Sequence, residues 1–291
     1  MADPDPEREN DDERVAKTRV DNRTRRPLGE VDEPPERGPA AYVAELIGTF
    51  GLVFVICTVV TLYAPAAQPA AQAGLPSVQP FQDWAVIGLA HAFILFALIQ
   101  ALAVASGAHF NPAVTVAMTA IRQIRVIDAA IYILVQLIGG IAAAFVVKLM
   151  FDNPNAAGTN PKFGSVGIGP AAAGSVSVAF AAEVIGTFLL VFAIVGVAVN
   201  PRGIKDWAGF AIGAMLGAAV MIFGPVSGAG LNPARALGPA LIAGHFDKPA
   251  HIWILIWVLG PLVGALLAAF GYFQMFILPG RKGDEGMEPV G

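Results

Sequence analysis

Charge and cysteine are both scarce in this sequence. Only 14% of the 291 residues are charged and 56% are hydrophobic, whereas soluble domains carry about 25% charged residues. The charges are also uneven, because 12 of the 22 acidic and 8 of the 18 basic residues fall within positions 1–40. The rest of the chain is mostly long apolar runs. This excludes an ordinary soluble domain and indicates an integral membrane protein.

The scarcity of reactive side chains excludes most enzyme classes. A lone cysteine, Cys57, cannot form an internal disulfide, and we expect it to be a small buried hydrophobic residue. The four histidines follow no metal-ligand spacing, and there is no nucleophile motif. We therefore expect neither enzyme activity nor a metal or cofactor. No basic patch interleaved with aromatics indicates a nucleic-acid partner.

Both ends of the chain are polar. Residues 1–39 are rich in charge and proline and poor in aromatics, so they predict a disordered tail. A second short tail is predicted at 279–291, leaving a membrane domain at 40–278. Most basic residues outside the N-terminal tail fall on its side of the predicted membrane: Arg122, Arg125, Arg202, Lys205, Arg281 and Lys282. The positive-inside rule therefore predicts that both termini are cytoplasmic in a multi-pass protein of the plasma membrane.

Six apolar stretches are each long enough to cross about 30 Å of hydrocarbon. They lie at 40–63, 84–105, 127–150, 176–199, 206–226 and 251–278. Two shorter apolar pieces, at 111–121 and 232–243, reach only about half a bilayer. The predicted fold is therefore all-α, with six transmembrane helices and two re-entrant half-helices.

The sequence also repeats itself. AELIGTF at 44–50 resembles AEVIGTF at 182–188, and SGAHFNPAVT at 106–115 resembles SGAGLNPARA at 227–236. Each repeat, at about 40–151 and 176–278, holds three spans and one half-helix. Because three is odd, the second copy enters the membrane upside down, which predicts an inverted repeat whose halves meet near the midplane.

An Asn-Pro-Ala triplet starts each half-helix. These triplets are Asn111, Pro112 and Ala113 in the first repeat and Asn232, Pro233 and Ala234 in the second. Asn is a favoured helix cap and Pro a favoured first helical residue. Two helix N-termini facing one pore would present positive partial charge and disfavour protons and other cations. We expect the asparagine amides to be free to donate to passing oxygens, and the carbonyls of 106–110 and 227–231 to accept.

With these motifs the sequence resembles the major intrinsic protein family, the aquaporins and aquaglyceroporins, over about residues 40–278. The resemblance implies a passive channel for water and small uncharged solutes that excludes ions and protons. It also implies one pore per subunit and a homotetramer in the bilayer.

The resemblance further implies an aromatic/arginine selectivity filter. Carried over by spacing, that filter is His91, Val220, Ala229 and Arg235. A charged residue in a half-helix at this depth is costly and usually functional. The set is similar to the filter of plant tonoplast intrinsic proteins, with His on the second helix and an aliphatic residue on the fifth. The resemblance also implies that Glu45 and Glu183 support the two pore loops from behind.

Other functions are less consistent with these patterns. A channel mainly for glycerol, urea or ammonia is the main alternative. A coupled carrier also uses inverted repeats, but we find no aspartate at the midplane to couple ions. A structural membrane protein would not need Arg235 and two asparagines at constrictions.

Overall fold

The computed structural model describes residues 34–64, 80–152 and 162–279, and every long element in them is a helix. Six helices are long and apolar enough to cross a membrane. We name them α1 (Pro39–Tyr63), α2 (Pro80–Ser106), α4 (Val126–Phe151), α5 (Val176–Val199), α6 (Lys205–Ser227) and α8 (Ala250–Ile277). Two short helices, α3 (Pro112–Ala120) and α7 (Pro233–Ala243), lie between them.

The predicted fold class is confirmed, and the helix bounds agree closely with the predicted stretches. The largest difference is at α2, which begins at Pro80 rather than at 84. Turns of π-helix interrupt two spans, at Val195–Val199 in α5 and at Leu255–Leu259 and Phe273–Ile277 in α8. Such turns leave the axis continuous but shift the side chains that follow.

Each half-helix packs against the opposite repeat. Helix α3 contacts α8, and α7 contacts α4. Within each repeat the first span packs on the last, α1 on α4 and α5 on α8, while α2 and α6 pair across the repeats. The two halves are therefore interlocked around the half-helices, which places the Asn-Pro-Ala motifs at the centre of the bundle.

The α2–α6 crossing is close because glycines face it. A Cβ on Gly217 would lie 2.7 Å from the carbonyl oxygen of Gly88, and one on Gly213 would overlap the carbonyl oxygen of Ala92. Small residues permit close backbone approach between helices in a membrane. Gly213 and Gly217 form the face of α6 that packs against α2.

The described residues begin before the predicted domain boundary at residue 40. The backbone N–H of Arg37 donates to Asp128 at 3.4 Å, so the chain contacts the helical bundle before α1 begins. The remainder of the predicted N-terminal tail, and nearly all of the predicted tail at 279–291, lie outside the described residues.

Candidate pore

Both half-helices begin on an asparagine cap. The Asn111 side chain accepts from the N–H of Ala113 at 2.9 Å, and Asn232 accepts from Ala234 at 3.0 Å and Arg235 at 3.3 Å. The prolines at the first helical position need no such partner, because they carry no N–H. The sequence therefore places two polar helix N-termini inside an apolar bundle.

The asparagine amides connect the two repeats. Nδ2 of Asn111 donates to the carbonyl of Leu231, and Nδ2 of Asn232 donates to the carbonyl of Phe110, both at 2.9 Å. These two contacts between the loops were not predicted from the sequence. Each side-chain amide has two N–H groups, so one joins the loops and the other is left for a ligand.

The two loops share an unusual backbone conformation. Positive φ angles occur at Gly107, Ala108 and Phe110 in the first loop and at the equivalent Gly228, Ala229 and Leu231 in the second. Positive φ is costly for residues with a Cβ and is kept only where the surroundings enforce it. Here it turns two successive backbone N–H groups of each loop toward one buried support.

Glu45 is the support in the first repeat and is fully buried. One carboxylate oxygen accepts from the hydroxyl of Ser106 at 2.7 Å and the N–H of His109 at 2.9 Å. The other accepts from the N–H of Phe110 at 2.7 Å and Nε2 of Gln136 at 2.8 Å. The donors that the strained loop turns inward are thus satisfied by one side chain.

Glu183 does the same in the second repeat, and it too is fully buried. It accepts from the hydroxyl of Ser227 at 2.7 Å, from the N–H of Gly230 at 2.8 Å and from the N–H of Leu231 at 2.6 Å. These three contacts match those of Glu45 with Ser106, His109 and Phe110, so the repeat extends to the hydrogen bonds. The contact between Glu45 and Gln136 is particular to the first repeat, because Trp257 occupies the equivalent position in the second.

Sequence reasoning missed three residues that hold these loops. Tyr132 donates to the carbonyl of Ser106 at 2.8 Å, and Nε1 of Trp257 donates to the carbonyl of Ser227 at 2.9 Å. The third is Gln136, which donates to Glu45. The sequence signal for them is a side chain with a polar group inside an apolar helical stretch, because such a group needs a partner once it is buried.

Arg235 is 2% exposed, although it is charged. Its Nη1 donates to the carbonyl of Gly164 at 2.8 Å, so the loop after α4 fixes the side chain. Gly164 has a φ of +83°, and a Cβ there would lie 2.7 Å from the Cα of Cys57. Cys57 is a free, fully buried thiol, as the sequence predicted.

The other predicted filter residues are also buried. His91, Val220 and Ala229 are 2%, 1% and 1% exposed. Nδ1 of His91 lies 2.7 Å from the carbonyl of Ile87. Because a carbonyl can only accept, Nδ1 carries the proton, and in the neutral ring Nε2 is left as an acceptor.

A cavity of about 260 Å³ connects these groups. It extends from the membrane face at which α1 begins and α8 ends, here called the terminal face, toward Arg235. Of the predicted site residues, five line it: His91, Asn111, Ala229, Asn232 and Arg235. Backbone segments 107–109 and 229–231 from the two loops line it as well. Val220 is not among the described residues that line the cavity. It packs instead in the hydrophobic cluster that contains Ile87 and Leu216.

Within the part of the chain that the structure describes, no three His, Cys, Asp or Glu side chains are grouped as metal ligands. The cavity instead offers amide N–H donors, carbonyl acceptors and one guanidinium between apolar walls. That chemistry suits small polar molecules that exchange hydrogen bonds with water.

Comparison with known proteins agrees with the geometry. The family model for the major intrinsic protein matches residues 37–272. Nodulin-26 from Glycine max is 36% identical over 232 residues, covering 79% of this chain and 75% of that protein. Aquaporin AqpM from Methanothermobacter thermautotrophicus is 36% identical over 241 residues, covering 79% and 94%.

A solved structure shares the fold. The aquaglyceroporin from Plasmodium falciparum superimposes with a TM-score of 0.65 at 20% identity, covering 82% of this chain and 97% of that one. The family match includes the first five spans, both half-helices and most of α8. The chain therefore belongs to the major intrinsic protein family, and it is a passive channel for water and small solutes rather than an enzyme.

Proposed function

We propose that water is the main permeant and that it crosses through the cavity between the terminal face and Arg235. One observation carries the proposal: both motif asparagines, the backbone of both loops and Arg235 line the same cavity. A helical bundle with a purely structural role would not need a buried guanidinium and two strained loops that line the same cavity.

The paired half-helices explain how such a pore would exclude protons and cations. Each helix N-terminus carries about half a positive charge, and Asn111 and Asn232 hold the two ends together. A water oxygen between them accepts from the free amide N–H groups. Its hydrogens then point away along the pore, toward the loop carbonyls on either side. This opposed orientation interrupts the hydrogen-bonded chain that a proton would follow.

We assign the aromatic/arginine filter to His91, Val220, Ala229 and Arg235. Arg235 supplies donors and, in the neutral tautomer, His91 supplies an acceptor, whereas Ala229 and Val220 are apolar. A solute passing there replaces few of its lost hydration contacts, so its diameter decides its passage. The similarity of this set to tonoplast intrinsic proteins favours a pore that also admits urea or ammonia.

The assembly and orientation of the channel form a second part of the proposal. We propose a homotetramer in the plasma membrane with both termini in the cytoplasm. Large apolar side chains such as Val104, Val126 and Leu149 are exposed on the bundle and suit lipid or a neighbouring subunit. Native mass spectrometry from detergent should give four copies, and a monomer that conducts water fully would contradict the assembly.

Purified protein in liposomes should speed osmotic shrinkage and leave an imposed pH gradient intact. The reason is the pair of opposed helix N-termini, whose caps Asn111 and Asn232 line the cavity. Light scattering reports water flow, and a pH-sensitive dye in the same vesicles reports proton leak. Collapse of the gradient in step with water flow would contradict the proposed mechanism of exclusion.

Val220→His should lower the urea-to-water permeability ratio about tenfold, the equivalent of ~1.4 kcal/mol. Histidine is larger and adds a polar group, so it narrows a filter that selects by diameter. Ile222→His is the matched control, because Ile222 lies two residues away on α6 but is 59% exposed on the outer surface. If both variants fold and give the wild-type ratio, Val220 lies outside the filter.

A further inference from the structure

A second arginine lines the cavity at its other end. Arg37 lies two residues before α1, at the terminal face, and its side chain is part of the cavity wall. Arg235 lies toward the opposite face, where it contacts the loop after α4. The cavity therefore has a guanidinium near each end, of which the sequence predicted only Arg235 as a site residue. Arg37 was missed because it belongs to the stretch predicted as a disordered tail.

The backbone at Arg37 is held by a buried acid. Asp128, on α4, is fully buried. It accepts from the N–H of Arg37 at 3.4 Å and from the hydroxyl of Tyr42 at 2.7 Å, and that hydroxyl also lies 2.9 Å from the carbonyl of Arg37. A buried carboxylate needs partners of this kind. The N–H of Arg37 is thus engaged by Asp128, and its carbonyl shares the single hydroxyl proton of Tyr42 with that carboxylate.

A neighbouring ion pair holds the same segment from outside. Arg125 contacts Asp128 through Nε at 3.3 Å and Glu36 through Nη1 at 3.0 Å. The Glu36 contact is exposed and adds little stability by itself. It adds a weak second contact at the residue next to Arg37.

The Arg37 guanidinium lies beside the first pore loop. A Cβ built on Gly107 would be 3.9 Å from Nη2 of Arg37 and 3.8 Å from the imidazole of His109. The two side chains thus flank Gly107, and both line the cavity. Among the described residues, Nε of Arg37 has no hydrogen-bond partner. The backbone contacts of Arg37 with Asp128 and Tyr42 hold the residue from which this head group extends.

We propose that Arg37 is a second specificity-determining residue, a cationic constriction held by Asp128 at the terminal-face mouth of the pore. This inference rests on the proposed function, since it takes the cavity as the conduction path. The guanidinium narrows the mouth and supplies N–H donors and a fixed positive charge there. It admits water readily, slows larger neutral solutes and repels cations before they reach the asparagines.

Arg37→Ala should raise the glycerol-to-water permeability ratio about fivefold, which corresponds to ~1 kcal/mol of steric barrier. Arg37→Met keeps much of the side-chain length without the charge, so it should leave this ratio much closer to wild type. Lys205→Ala removes the same charge from an exposed residue at the same face and should change nothing. A wild-type ratio in folded Arg37→Ala would overturn the proposal.

Cysteine labelling gives a second test that does not depend on solute choice. The only native cysteine is fully buried, so Arg37→Cys offers one accessible thiol. A bulky methanethiosulfonate reagent on it should cut water permeability at least about fivefold, and dithiothreitol should restore it. Labelled Lys205→Cys should conduct normally. Complete labelling of Arg37→Cys without loss of flow would overturn the proposal, whereas failure of unlabelled wild type to conduct would overturn the proposed function instead.

Discussion

Glu183→Ala is expected to abolish water permeability and to lower the yield of folded protein sharply. The substitution leaves three buried donors without their acceptor, on Ser227, Gly230 and Leu231. Each buried donor left unpaired costs about 1–3 kcal/mol, and no water in the hydrocarbon region can replace the carboxylate. Thermal unfolding in detergent and osmotic shrinkage of proteoliposomes measure the two effects.

Two companion variants sharpen this expectation. Glu183→Gln keeps the shape and one acceptor oxygen but turns an NH₂ group toward N–H donors, so its loss should be intermediate. Asp206→Ala changes an exposed acid at the start of α6 and should behave as wild type. If Glu183→Ala were as well tolerated as Asp206→Ala, the carboxylate would not be the support of the second loop.

Arg235→Ala is expected to raise the urea-to-water permeability ratio by about tenfold or more, the equivalent of at least ~1.4 kcal/mol. Removing a large side chain from the cavity wall widens the path, and removing its charge weakens the barrier to cations. Proton leak should therefore rise as well. Stopped-flow shrinkage with urea and with sucrose, combined with a pH-sensitive dye, separates these effects.

Arg235→Lys isolates the part played by shape. Lysine keeps the charge but lacks the planar fork of donors, so it cannot reproduce the bond to the carbonyl of Gly164 with the same geometry. We expect it to retain proton exclusion better than size selection. An unchanged urea ratio in both folded variants would remove Arg235 from the filter.

The spans and half-helices were predictable because the bilayer fixes them physically. A helix that crosses the hydrocarbon needs about 20 apolar residues. The length of their apolar stretches was therefore enough to identify α1, α4 and α5. The half-helices α3 and α7 were identified from an Asn-Pro start and from being too short to cross. Neither inference needs knowledge of which helices touch.

The long-range contacts were not predictable in the same way. Gln136 and Tyr132 lie on α4 in an apolar run, and only the folded bundle brings them to Glu45 and Ser106. Trp257 contacts Ser227 from within a π-helical turn of α8, and no local sequence pattern predicts that turn. These partners depend on helix rotation, and hydrophobic period gives little information on rotation when every face is apolar.

The filter shows the same limit at single-residue scale. The position of Arg235 follows directly from the motif beside it, and it lines the cavity. Val220 was carried over by counting along another helix, where an error of one residue turns the side chain by about 100°. Its place in the hydrophobic cluster makes it the filter assignment that most needs measurement.

The central claim is that this chain conducts water passively through the cavity that its two repeats enclose. The most direct test is stopped-flow osmotic shrinkage of proteoliposomes at several temperatures, with no ion gradient, beside empty liposomes of the same lipid. We expect faster shrinkage with a weaker temperature dependence, because water in a pore exchanges hydrogen bonds instead of dissolving in hydrocarbon. Folded protein that shrinks no faster than empty liposomes, and with the same temperature dependence, would contradict the claim.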